Sequence, residues 1–247
     1  MGNSILLTGG TGKLGNKIIE SKLFSNLLFP TREEFDLISP QSINNYFMKN
    51  EIGTVIHCAA LARLSICHKK PNKAIETNII GTSNIINGVL RVEEKFKKDI
   101  RFIHISTDGV YSSNKGNYSE KDKTLPYSVY GWTKLASEKF VELLNNYCII
   151  RTRFFDPDNI PFSRSATDIF TSSMPIKKLV CAIETVQKIN YVGVINIGDL
   201  RLSDFERYKA HKPEMKPCTR KDILEGLPFK VAKDASMDCS LWHSLTK

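Results

Sequence analysis

Ser4-Ile5-Leu6-Leu7-Thr8-Gly9-Gly10-Thr11-Gly12-Lys13-Leu14-Gly15 is the stretch that decides the fold. An apolar run suited to a buried strand enters a glycine-rich turn, and Leu14, Ile18 and Ile19 then follow at helical spacing. The pattern is strand, glycine turn, helix. Glycines let the backbone come close to a phosphate, and the free N–H groups and positive dipole end of the next helix favour the anion. Gly9, Gly12 and Gly15 stand at G-x-x-G-x-x-G, not at the G-x-G-x-x-G of the common dinucleotide fingerprint. Taken alone, the same turn also serves as a tight strand-to-helix connection with no ligand.

Outward from this unit the alternation repeats. Asn26-Leu27-Leu28-Phe29 reads as a second strand, and Pro40 to Lys49 as a helix with Ile43, Tyr46 and Phe47 on its apolar face. Thr54-Val55-Ile56-His57-Cys58-Ala59-Ala60 reads as a third, buried strand whose small terminal residues let a cofactor lie against the backbone. His57 is read as a packed side chain, not a catalyst. A long helical pattern starts near Pro71 and carries Asn78, an amide that needs partners if it faces the sheet. Arg101 to Thr107 forms a fourth strand ending in hydroxyls. Alternating strands and helices imply an α/β fold, a Rossmann-type doubly wound parallel sheet whose ligands bind beyond the strands' carboxyl ends. Gly9, Ala59 and Thr107 all fall at such ends.

After the second strand, Arg32 stands where NAD-binding proteins usually place a carboxylate for the adenosine ribose. A guanidinium there pairs with a 2′-phosphate, which favours NADP(H) and leaves NAD(H) second, although Glu33 and Glu34 lie beside it. An ordinary exposed loop arginine is the plain alternative.

Residues 108–128 turn to Ser, Asn, Gly, Lys and Pro and read as a loop that delivers Tyr130-Gly131-Trp132-Thr133-Lys134 into a new helix. Tyr130 and Lys134, four apart, share one helix face. A nearby ammonium favours the phenolate, and a phenol so tuned can pass a proton to a carbonyl oxygen. Thr107 can hydrogen-bond the same oxygen. Such a pair also occurs on solvated helices; its weight here comes from following the glycine turn and the hydroxyl-ended strand in that order. Tyr147 to Arg151 reads as a fifth strand and Val192 to Ile197 as a later one. We therefore expect a dinucleotide-binding core over 1–151. Over 152–247 we expect a mixed segment that returns to the sheet at about 176–198 and otherwise builds a small C-terminal substrate lobe.

The bulk composition narrows the classes. The 247 residues are 41% hydrophobic, enough for one substantial core. No run approaches the ~18 apolar residues of a membrane span, and the first residues lead into a strand, so the expectation is a cytoplasmic protein with no membrane segment. Six cysteines without C-x-x-C pairs read as reduced thiols and give no metal spacing. The net charge of +9 is spread along the chain without a nucleic-acid module, so it reads as a solvated surface that also steers small anions.

With these residues in hand, the chain resembles the extended short-chain dehydrogenase/reductase family from Ile5 to about Ile197. Gly9, Thr11, Gly12, Lys13 and Leu14 look like its cofactor turn, and Asp36-Leu37 like its adenine-contacting pair. Cys58-Ala59-Ala60 resembles the end of its third strand, and Asn78 its structural asparagine. Ser106-Thr107-Asp108 and Tyr130-x-x-x-Lys134 are similar to its catalytic motifs. Within the family the likeness is nearest to dTDP-4-dehydrorhamnose reductases and related nucleotide-sugar 4-ketoreductases. The resemblance implies hydride transfer from NADPH to the ketone of a nucleotide-linked keto-sugar. In that scheme Tyr130 supplies the proton, Lys134 holds the nicotinamide ribose and lowers the Tyr130 pKa, and Thr107 orients the carbonyl.

Asp108 is a substrate candidate, Arg153, Arg164 and Arg220 are candidates for the diphosphate, and a homodimer is allowed. Gly109 stands where the rhamnose-pathway reductases commonly carry tyrosine and where the family's dehydratases carry glutamate. A nucleotide-sugar epimerase is the enzymatic alternative. A non-catalytic NADP-binding regulatory subunit, as in methionine adenosyltransferase, is the other.

Overall fold

The computed structural model describes residues 4–247; the first three, on which part of the reading of the amino terminus rests, lie outside the described residues. Six strands, β1 (Ser4–Thr8), β2 (Leu27–Leu28), β3 (Ile52–His57), β4 (Arg101–Thr107), β5 (Tyr147–Thr152) and β6 (Gly193–Ile197), form one sheet. Its order is β6-β5-β4-β3-β1-β2 and every pairing is parallel. β2 is shorter than the alternation suggests, because Phe29 is exposed and Pro30 brings no N–H to a ladder.

Side-chain alternation along the strands builds two apolar layers. Ile5 and Leu7 of β1, Ile103 and Ile105 of β4 and Cys148 and Ile150 of β5 face one side. There they meet Leu14 and Ile18 of α1 (Lys13–Ser21) and Leu179, Val180 and Ile183 of α5 (Ile176–Lys188). Leu6, Phe102 and Ile149 face the other side, against Ile43 and Phe47 of α2 (Pro40–Lys49) and Ile85 and Val89 of α3 (Gly81–Phe96). α4 (Val129–Val141) packs on this second side through Val141. The two helical layers explain why these strands are apolar on both faces.

The sequence expectation of one regular helix from Pro71 is corrected. Pro71–Ala74 runs into a π-helical turn, Ile75–Ile80, before α3 begins. Asn78 sits inside that turn, a common placement for a π-bulge at a functional position. Beyond β5 the chain is tied by short strand pairs: Phe154–Phe155 with Met174–Pro175, Arg164–Ala166 with Lys216–Cys218, and Phe170–Thr171 with Leu202–Ser203. Among the described residues no helix is long and apolar enough to cross a membrane.

Candidate active site

The strand order reverses between β1 and β3, and in open α/β sheets the crevice beyond that point is where ligands lie. Gly9 ends β1 with φ +76°, and a Cβ on it would stand 2.6 Å from the backbone nitrogen of Ala59 at the end of β3. The two chains touch as closely as glycine permits. Gly12 donates its N–H to the Gly9 carbonyl at 2.9 Å and then opens α1, whose first turn has no side-chain cap. That leaves uncapped backbone N–H groups at a helix start, with Thr11, Gly12 and Lys13 exposed around them and Leu14 anchored in the core. Such an end binds anions well.

Arg32 extends into solvent with its Nε 3.9 Å from Asp36 Oδ1, and the same Asp36 oxygen accepts the Ile38 N–H at 3.1 Å. The Leu37 carbonyl is held by Asn84 Nδ2 at 2.9 Å. Cys58, Ala59 and Ala60 are half-buried at the end of β3, and burial pushes the Cys58 thiol up to about 12, so it is a protonated lining group. Asn78 is fully partnered: it accepts the Leu61 N–H at 2.7 Å and donates to the Leu61 carbonyl at 3.1 Å and to Thr133 Oγ1 at 2.9 Å. It thereby ties the loop after β3 to α4.

His57 is a packed side chain. Thr82 spends its hydroxyl proton on the Asn78 carbonyl at 2.7 Å, so His57 Nε2 must donate to Thr82 Oγ1 at 2.9 Å, leaving Nδ1 to accept from Thr8 Oγ1 at 2.7 Å. Burial pushes its pKa down to about 3, so it is neutral.

Thr107 closes β4, and its Oγ1 caps the next turn by accepting the Gly109 N–H at 3.1 Å. Tyr130, in the first turn of α4, places its phenol near this hydroxyl, which itself donates to Asp108 Oδ1 at 3.2 Å. The phenol's pKa is raised, first by burial and then by the Asp108 carboxylate and Cys67, while the nearby Thr107 hydroxyl and the Arg153 charge pull the other way. Asp108 is buried and takes Arg153 Nε at 2.6 Å. Burial works against the Arg153 charge, but Asp108 outweighs it and holds the guanidinium well above its usual range. Asp108 and Arg153 are thus one ion pair beside Thr107 and Tyr130.

Lys134 is almost wholly buried, and its Nζ lies 3.0 Å from His104 Nε2 on β4. Burial lowers its pKa to about 8 against the pull of Glu138. The Tyr130 phenol stays protonated chiefly through burial.

The remaining arginine candidates lie on the segment beyond β5. Arg220 directs its Nε and Nη2 to the Val231 and Ala232 carbonyls at 2.7–3.2 Å. Arg164 is exposed on the strand beside Lys216–Cys218, with Asp222 as a charged neighbour.

Sequence reading missed a buried network behind α4. Glu138 accepts from Ser106 Oγ and from Arg151, and Arg151 Nη1 donates to the Tyr111 hydroxyl at 3.0 Å. Tyr111 in turn donates to Asn196 Oδ1 at 2.9 Å, and the two tyrosines Tyr111 and Tyr118 stack at 4.7 Å. The available signal was Glu138 four residues after Lys134 on the same face of a helix, and polar side chains inside apolar strands at His104 and Arg151. A cavity of about 360 Å³ adjoins the amino end of α4, lined by Leu64, His68, Tyr127, Trp132 and Phe229 among others.

A family model described as the RmlD substrate binding domain matches residues 3–156. Methionine adenosyltransferase 2 subunit beta of Rattus norvegicus is 28% identical over 151 residues, 58% of this chain and 43% of that protein. The dTDP-4-dehydrorhamnose reductase of Mycolicibacterium smegmatis is 28% identical over 145 residues, 57% of this chain and 42% of that protein. The matched part of the chain therefore spans under half the length of these curated relatives. The crystal structure of a dTDP-4-dehydrorhamnose reductase from Bacillus anthracis in complex with NADP superposes with a TM-score of 0.88 at 20% identity, covering 99% of this chain and 93% of that one. At that identity the likeness is one of fold, and it extends through the carboxyl-terminal segment.

Proposed function

The chain belongs to the RmlD substrate-binding-domain family, and on that footing we propose that it is an NADP(H)-dependent reductase of a keto group on a nucleotide-linked sugar. The observation that carries the reading is the protonated Tyr130 phenol beside the Thr107 hydroxyl at the carboxyl end of β4, next to a glycine cradle at the strand reversal. The cradle supports the cofactor assignment on its own geometry, because a side chain at Gly9 would collide with Ala59 where a diphosphate must approach the backbone.

In this reading the uncapped first turn of α1 takes the diphosphate, Arg32 takes the 2′-phosphate, and Ala59 and Ala60 give room along β3. When bound, NADPH supplies the hydride. Thr107, whose hydroxyl otherwise donates to Asp108 Oδ1 at 3.2 Å, turns its proton to the ketone oxygen and orients it. Tyr130 delivers the proton that turns that oxygen into the alcohol, and its raised pKa keeps the proton in place until the oxygen gains charge. The resulting phenolate is reprotonated from solvent. Asp108, held by Arg153, borders the same oxygen and is suited to a sugar hydroxyl. The activity belongs with cytoplasmic deoxysugar or surface-polysaccharide synthesis.

The test is NADPH and NADH titration followed by nicotinamide fluorescence, then a panel of nucleotide-linked 4-keto-6-deoxysugars. NADPH binding followed by oxidation with one sugar is the expected result. Tyr130→Phe should then lower kcat by about 100-fold or more while NADPH affinity holds.

The relative of Rattus norvegicus, named as a subunit of another enzyme, supports a second reading as an NADP-binding regulatory subunit. Under that reading Tyr130→Phe leaves partner activation untouched, and no sugar in the panel oxidises the cofactor.

A further inference from the structure

Lys134 and His104 form a pair whose hydrogens can be counted. His104 is fully buried, its ring stacks on His57 at 5.3 Å, and Lys134 is almost fully buried with Nζ 3.0 Å from His104 Nε2. An ammonium has three donors and no acceptor, so a charged Lys134 requires a bare Nε2 and places the imidazole proton on Nδ1. His104 Nδ1 is buried and has no partner. The tautomer that serves the ammonium is therefore the one that strands an N–H in the core.

Ser137 offers the opposite tautomer a home. Its Oγ lies 3.1 Å from Nε2 and has given its own proton to the Lys134 carbonyl at 2.7 Å, so it can accept from an Nε2–H. In that form the bare Nδ1 is a buried acceptor, cheaper to leave unpaired than a donor. Two arrangements of one imidazole are thus tied to the two charge states of one lysine.

We propose that His104 is the positioning residue for Lys134: its Nε2 fixes the ammonium when the lysine is charged, and its ring proton moves from Nδ1 to Nε2 when the lysine is neutral. The other titratable groups packed around the pair do not compete. His57 on β3 is kept neutral by burial with both ring nitrogens taken by Thr8 and Thr82, the Cys58 thiol is kept protonated by burial, and Glu138 on α4, although its charge favours the ammonium, gives its hydrogen bonds to Arg151 and Ser106. Lys134 is also buried to a pKa near 8, which puts both states within ordinary buffers. For a reductase, this makes His104 the residue that keeps the ammonium in register below pH 8; that consequence rests on the function proposed above, whereas the tautomer exchange does not.

The experiment is nitrogen NMR on the whole protein labelled at histidine nitrogen, titrated from pH 6.5 to 9.5, with the His104 ring assigned from the spectrum of His104→Gln. The expected result is an Nδ1–H ring at low pH that converts to Nε2–H with a midpoint near 8, and an Nε2–H ring at every pH in Lys134→Met. A ring that keeps one tautomer across the range, or one that titrates alike in Lys134→Met, overturns the proposal. NADPH affinity adds a second readout. His104→Leu should weaken it several-fold at pH 7 and His104→Gln, whose amide oxygen can take the ammonium, should restore it. Equal loss in both variants counts against positioning. If no sugar is ever reduced, the tautomer result still stands or falls by itself.

Discussion

Glu138 takes the Arg151 guanidinium side-on, with Nη2 2.7 Å from Oε2 and Nε 3.2 Å from Oε1, and both side chains are almost wholly out of water. The pair joins α4, which carries Tyr130 and Lys134, to β5, and through Ser106 to β4. Taking one partner away leaves a buried charge with nothing to offset its lost hydration. Glu138→Ala should therefore cost about 3–5 kcal/mol of unfolding free energy, while Glu138→Leu combined with Arg151→Met should recover much of that loss. Urea denaturation at pH 7 measures both, and a single-variant cost below about 1 kcal/mol would show that the pair is hydrated.

Lys134 makes the opposite contribution at neutral pH. Its pKa is about 8 in the fold against an ordinary 10.5, so the unfolded chain binds the proton more tightly than the native one. Below pH 8 the charged lysine destabilises the fold by roughly 3 kcal/mol, and this penalty fades as pH rises from 8 towards 10.5. Lys134→Met should be more stable than the parent at pH 7, with the gap narrowing by pH 9.5. Paired denaturation curves at the two pH values check the sign, and a gap that widens with pH contradicts it.

Gly9→Ala meets two obstacles together: a left-handed backbone at φ +76° and the Ala59 nitrogen 2.6 Å from the new Cβ. Gly226 also has a positive φ, +78°, but open space around it. Gly226→Ala should cost about 1 kcal/mol from backbone strain alone. Gly9→Ala should cost more and also lose NADPH binding, because relief requires β1 and β3 to part at the cradle. Comparable melting temperatures and cofactor affinities in the two variants would contradict the close-approach argument.

Arg32 sets cofactor choice if the proposed reading is right. Its guanidinium is exposed, with Asp36 as its one ion-pair neighbour among the described residues. Arg32→Ala should weaken NADPH by about 10-fold or more, the worth of a charge-assisted hydrogen bond to phosphate, and leave NADH nearly unchanged. Fluorescence titration with both cofactors reads the ratio; parallel losses would place the 2′-phosphate elsewhere.

The sequence by itself determined the layered α/β fold and the order of its parts. Apolar periodicity is local, so β4 over Arg101–Thr107 and α2 over Pro40–Lys49 were legible residue for residue, and the glycine turn marked the crevice. Helical spacing put Tyr130 and Lys134 on one face. It left open where that face points, and the tertiary structure turned Lys134 into the sheet towards His104. It likewise joined Asp108 to Arg153 across 45 positions and Glu138 to Arg151 across 13, and gave Arg220 to backbone carbonyls. Those choices depend on burial. A charge taken out of water goes to the nearest group able to replace its hydration, and which group is nearest is fixed only when distant strands and helices have packed.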